Sequence, residues 1–294
     1  MGRGEARGDL VDRVTQRWVR WTGRRVRLED HPWLDGPVGK PEGIGSSFFD
    51  AYVAERGLRA LRGEPGGLLA DLQALRSASF DPARVDPAVV EFYTRTSDYA
   101  LDTWSEWTGV FRPFGWMLAR IFSRRLQQLN VPLSNLDTSR GMTSEVIVVA
   151  EPHGGRRLFA AWVRTLVRTG DVIYAGAYST CVVPEGSTPC VRVVFPLPNG
   201  NGIVLMRAVV EDDGSLRLIS AGNGFGSPGF YFTVRDRNGA IRSRYVRALR
   251  ETIHVYPSGS DVRADHVLKL WGMTFLRLHY RLTPRAAAGR SEGL

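Results

Sequence analysis

The sequence predicts an α+β protein: an N-terminal helical region packed on a C-terminal antiparallel β-meander, the meander forming a closed or nearly closed barrel of about nine or ten strands. Three observations carry that expectation. Apolar residues recur at three- and four-residue steps in the first half, then at every second residue from about Ser144 onward. Turn chemistry breaks the second half at short intervals: PHGG (152–155), TGD (169–171), PEGS (184–187), PNGNG (198–202), DDG (212–214), RNG (237–239) and PSGS (257–260). No helical period separates these strands, which is the pattern of a meander and not of βαβ units.

Residues 1–30 read as a basic amphipathic helix. Asp9 can cap LVDRVTQRWVRW, which sets Leu10, Val14, Trp18 and Trp21 on one side and Arg13, Arg17 and Arg20 on the other. A Pro/Gly-rich linker, HPWLDGPVGKPEGIG, spans 31–45. The helical region covers 46–135, with short helices near 46–61 and 66–76. Asp86-Pro87, a cap followed by proline at the first helical position, starts a long helix through about Trp107. A further helix runs from Pro113 to Asn130, closed by Asn130 and Pro132. Residues 143–284 make the barrel and 285–294 a disordered tail. On the long helix Asp98, Asp102 and Glu106 step by four and form a solvated acidic stripe; a di-iron bundle would need Glu-x-x-His pairs that the chain lacks.

Composition narrows the partners. A 294-residue chain with 43% hydrophobic residues can fill a sizeable core. The formal charge of +9 would ordinarily suggest an anionic partner, but Lys40 and Lys269 are the only lysines. Such an arginine bias can follow from base composition, and no nucleic-acid-binding signature accompanies it, so nucleic acid is not an expected partner. The N-terminus has no apolar segment of a secretory signal. The most apolar window, 107–122, is broken by Arg112, Pro113 and Arg120 and falls short of the ~20 residues of a spanning helix. The expectation is a cytoplasmic protein, peripheral to a membrane if the aromatic and arginine-rich stretch 104–125 touches headgroups.

No motif announces a cofactor. Cys181 and Cys190, the only cysteines, lack zinc-site spacing, and G-x-S-x-G, H-E-x-x-H and Walker sequences are absent, so no cofactor and no metal are expected. Gly224, Gly226 and Gly229 in AGNGFGSPGFYFTV match G-x-G-x-x-G. A dinucleotide turn must open a helix, whereas Pro228 and the strand-like FYFTV follow here. These glycines read as a bent connection at the barrel rim.

Hairpin registers locate a candidate site. A two-residue turn at Glu185-Gly186 sets Cys181 opposite Cys190, as buried free thiols. Pairing Tyr256 with Asp261 across PSGS sets Val255 opposite Val262, Ile253 opposite Ala264, and Glu251 opposite His266. A three-residue connection at 272–274 sets His266 opposite Tyr280, and Asp265 opposite Arg281 on the other face. Glu251, His266 and Tyr280 then stand side by side among leucine, isoleucine and valine. An imidazole and a phenol beside a buried carboxylate can act as acid–base groups, orient a ligand, or only satisfy one another. The three are the candidate catalytic and ligand-binding residues. Arg207, sharing its face with Ile203, Leu205 and Val209, is a further candidate ligand-binding residue. The leading expectation is a protein that binds a small, largely apolar, lipid-like molecule inside the barrel. The alternatives are an isomerase- or cyclase-type enzyme working in the same cavity, and a membrane- or partner-docking protein with a solid barrel.

Overall fold

Period-two patterning extends further along the chain than the second half, and it draws parts of the N-terminal region into the sheet. A computed structural model describes residues 3–39, 45, 47–62, 66–108, 142–167, 170, 172–236 and 238–285, with side chains from Arg13 onward. Among these, three helices and fourteen strands follow in order: α1 (Arg3–Thr22), β1 (Arg24–Val26), α2 (Phe48–Arg56), β2 (Arg59–Leu61), α3 (Pro87–Thr94), β3 (Tyr99–Trp107), β4 (Met142–Ala150), β5 (Arg157–Leu166), β6 (Val172–Val183), β7 (Thr188–Leu197), β8 (Gly200–Val210), β9 (Leu216–Ser220), β10 (Gly229–Arg235), β11 (Ile241–Tyr245), β12 (Leu249–Ser258), β13 (Asp261–Leu270) and β14 (Met273–Pro284).

All fourteen strands belong to one antiparallel sheet, eleven of them on the path β2-β4-β5-β6-β7-β8-β9-β12-β13-β14-β3. On the side away from β7, long β8 serves two partners: Gly200–Leu205 pairs with β10, and Arg207–Val210 pairs with β9. The β10 branch continues to β11 and β1. The glycine-rich stretch is the bent connection between β9 and β10, where the Tyr231 hydroxyl accepts from Gly226 N and donates to Ser227 O. A Cβ at Gly229 would fall 2.4 Å from the Tyr245 ring, so only glycine fits where the chain enters β10.

The antiparallel sheet is as expected, but it does not form a closed barrel. No ladder among the described residues joins β3 back to β4 or β2, so hydrogen bonding does not close the sheet. The region 142–284 contributes eleven strands, β4 to β14, instead of nine or ten. The two ends of the main path, β2 and β3, come from the region read as helical.

The long helix is corrected for the same reason. α3 stops at Thr94, a short turn follows at Thr96–Asp98, and YALDTWSEW runs as β3. Its outward Asp102 and Glu106 stand opposite Arg281 and Arg277 of β14, opposite-charge pairs that reward the extended form. Asp98 instead pairs with Arg95 at 2.8 Å, so the acidic stripe does not exist. The Asp86 cap is as read: its carboxylate accepts from Ala88 N at 2.8 Å, with Pro87 next. The helix near 46–61 is α2 followed by β2, and 66–76 holds only a single helical turn at Gln73–Leu75. The helix expected over 113–130 and the tail beyond Arg285 lie outside the described residues. α1 begins before Asp9, so that residue is not its cap, and it seats Val19 in place of Val14 and Trp21, which stay exposed.

Two cores form on the two faces of the sheet. On one face Trp33, Leu34, Phe48 and Phe49 cover Ile147, Ala161, Ala177, Val194, Ile203, Leu205 and Tyr231. On the other face the sheet curls around Leu68, Leu72, Phe80, Val89 and Phe92. The Asp86 amide bonds Gly214 O at 2.9 Å, fastening the start of α3 to the β8–β9 turn at one end of the curl. Each fully buried leucine or phenylalanine contributes about 1.5–3 kcal/mol through removal from water.

Candidate functional site

Part of the curl is not filled by the described residues. Between α3 and the inner face of the sheet lies a cavity of about 290 Å³, bordered by Phe92, Trp107, Phe195, Leu249, Ile253 and Phe275 among others. Its polar wall is built by β12, β13 and β14 on one side and by β5 and β6 on the other.

Both hairpins of the first wall close more tightly than expected. Pro257 and Ser258 join the ladder, so the β12–β13 turn is only Gly259-Ser260 and Ser258 pairs with Asp261. The register therefore moves by two residues: Ile253 faces His266, and Glu251 faces Leu268. A shift of two leaves every side chain on its original face. At β13–β14 the turn is Trp271-Gly272, with φ of 50° and 82°, a geometry that favours two-residue hairpins. Phe275 is then an extra residue between Thr274 and Leu276, and this bulge restores the inward set Leu276, Leu278, Tyr280 and Leu282. Without the bulge, Arg277 and His279 would point inward. Asp265 accordingly faces His279, while Arg281 bonds Asp261 at 2.6 Å.

The displaced registers still bring the expected groups together. His266 Nε2 lies 2.9 Å from Glu251 Oε2 on a diagonal across the two strands, with only 15% and 12% of these side chains exposed. Ser220 Oγ accepts from the Glu251 amide at 3.0 Å. Tyr280, opposite Ala264, is buried one strand further and lines the same cavity. Arg207 is not part of the group. It follows Ile203 and Leu205 onto the other face and stands opposite Cys190. Cys190 and Cys181 face each other as expected and are free thiols. Burial pushes the Cys181 thiol up to about 11, and Cys190 higher still.

The second wall went unread in the sequence. Trp162 and Arg164 of β5, with Tyr174 and Tyr178 of β6, complete the polar side of the cavity. Arg164 is 2% exposed, and its guanidinium lies 3.9 Å from the Trp162 ring centre, 4.6 Å from Tyr174 and 5.4 Å from Tyr280. The last contact spans the gap in the sheet, from β5 to β14. The Tyr174 and Tyr178 hydroxyls hydrogen-bond each other, and burial holds both phenols well above their ordinary range. Gly176 between them makes room for the Tyr174 ring, since a Cβ there would lie 2.8 Å from the Tyr174 hydroxyl. Trp162 Nε1 donates to Ser144 Oγ at 2.7 Å, which orients the indole under the guanidinium.

Among the described residues no group of His, Cys, Asp and Glu is arranged to hold a metal ion. No described helix is long and apolar enough to cross a membrane.

No protein-family model matches the chain, and no solved structure matches it. A curated relative, the uncharacterized membrane protein YndJ of Bacillus subtilis (strain 168), is 28% identical over 245 residues. The match covers 82% of this chain and 41% of the relative, so the chain spans well under half of that protein's length.

Proposed function

We propose that the curled sheet works as a nearly closed barrel that binds a small, largely apolar, lipid-like molecule in its interior. The observation that carries this reading is the cavity of about 290 Å³ in an otherwise packed core. Its volume sits near the lower edge of ligand pockets, roughly 300–1,000 Å³. Apolar walls with a few convergent polar groups are the composition such pockets use. Native mass spectrometry of the purified protein tests it: a co-purifying mass released on denaturation is expected, and a protein that neither carries nor takes up any apolar compound contradicts it.

A second reading rests on one distance. The 2.9 Å contact between His266 and Glu251 in an apolar cavity suits an acid–base pair for isomerase- or cyclase-type chemistry, with Tyr280 beside it. Under that reading Glu251→Gln abolishes turnover of a substrate while the same compound still binds; full turnover in that variant rules it out.

Contact with a membrane surface is a compatible part of the first reading. Trp271 and Met273, at the β13–β14 turn, are 73% and 51% exposed. The relative's description as a membrane protein is in keeping with such contact. Of the stretch 104–125, only Thr108 and the four residues before it are described, with Trp104 partly exposed. Co-sedimentation with anionic vesicles at low but not high salt is expected; absence from the pellet in both removes this part.

A further inference from the structure

We infer that the molecule held in this cavity is an amphipathic anion whose charged head group is received by Arg164. This rests on the cavity-binding reading above and specifies the chemistry of its ligand. Arg164 is almost wholly buried, yet its Nε and Nη1 find no hydrogen-bond partner among the described residues. The rings of Trp162, Tyr174 and Tyr280 stack near the guanidinium and offer it their π-faces. Such contacts favour the cation but accept none of its N–H groups, which lie in the guanidinium plane. Leaving a buried charged donor unsatisfied is costly, and an acceptor delivered by a ligand would remove that cost. A carboxylate or phosphate is the strongest such acceptor.

One other charged group faces the same space. Glu251 also lines the cavity, but its carboxylate is engaged by His266 at 2.9 Å. The Tyr174 and Tyr178 hydroxyls bond each other beside Arg164 and can turn a donor toward an entering oxygen. The remaining walls, from Leu249, Leu268, Phe275 and Trp107, suit a hydrocarbon tail.

Three probes sharing one alkyl chain and differing only in head group test the inference: dodecanoate, dodecanol and dodecyltrimethylammonium, each titrated below its micelle-forming range and followed by tryptophan fluorescence. The full chain is expected to bind dodecanoate at least about tenfold more tightly than dodecanol, and the ammonium most weakly. Arg164→Met, or Arg164→Gln if the first variant does not fold, is expected to bind dodecanoate no better than dodecanol. Equal affinity of the wild-type protein for the acid and the alcohol overturns the assignment to Arg164 while leaving an apolar pocket intact. Tightest binding of the ammonium also overturns it, since Glu251 would then set the charge preference. Persistence of the acid preference in a folded Arg164 variant has the same effect. Binding of none of the three probes removes the cavity-binding reading itself.

Discussion

The two faces of the same sheet differ in how they are filled. On the outer face Phe49, Leu34, Ile203, Leu205 and Tyr231 are each no more than 1% exposed and belong to one buried hydrophobic cluster. On the inner face β5, β6, β12, β13 and β14 place an arginine, three tyrosines, a glutamate and a histidine around an unfilled space. Successive residues of one strand serve both: Val163 belongs to the outer core, and Trp162 and Arg164 to the cavity wall. Close packing is therefore within reach of this sheet, and its absence inside is a property of the residues placed there. Both faces hold buried apolar clusters, and the proposed binding role falls to the inner one.

Substitutions on each face should separate these roles. The largest loss is expected at Leu205→Ala, where a fully buried side chain leaves a void in a packed layer, about 2–5 kcal/mol in a urea unfolding curve. His266→Leu should cost less, roughly 1–3 kcal/mol, because it leaves the buried Glu251 carboxylate without its imidazole partner. Ile253→Ala should cost about 1–2 kcal/mol, since its side chain already borders empty space and loses fewer contacts. A loss at Ile253 equal to that at Leu205 would mean the inner face is packed as tightly as the outer. The smallest effect on stability is expected at the thiols. With Cys181 raised from 9.0 to about 11, its thiolate fraction at pH 8 falls about a hundredfold below that of the unfolded chain. Iodoacetamide labelling should slow by the same factor and speed up about tenfold per pH unit until about pH 11. Labelling at the unfolded rate at pH 8 would show that the outer face is open to water.

The shared face of the cavity residues and the register that sets Cys181 opposite Cys190 were legible in the sequence; the registers of the two hairpins beside the cavity were not. Alternation around Glu251, His266 and Tyr280 identifies their common face, and a slip of two residues cannot change it. The slip itself arose from turn length. Pro257 and Ser258 look like loop residues yet belong to β12, and the bulge at Phe275 lets a two-residue turn coexist with inward leucines. β3 was hidden because Asp86-Pro87 is a real helix start and nothing local marks the stop at Thr94; the arginines of β14 that favour its extended form are distant in sequence. Arg164 was missed although its signal is present: Ala160, Trp162 and Arg164 alternate on one face, as do Tyr174, Gly176 and Tyr178 across from them. An arginine in such a row looks like a rim residue that snorkels to water, and only the curl of the sheet shows that it has nowhere to go. Arg207 was the reverse case, an arginine among apolar neighbours that belongs to the outer face.

The most direct measurement is a diffraction experiment on crystals grown with ω-bromododecanoate. An anomalous bromine peak inside the cavity, with the carboxylate against Arg164, is the expected result. Bromine found only on the outer surface, with side chains or water occupying the interior, would contradict both the proposed binding role of the inner face and the division between the two faces.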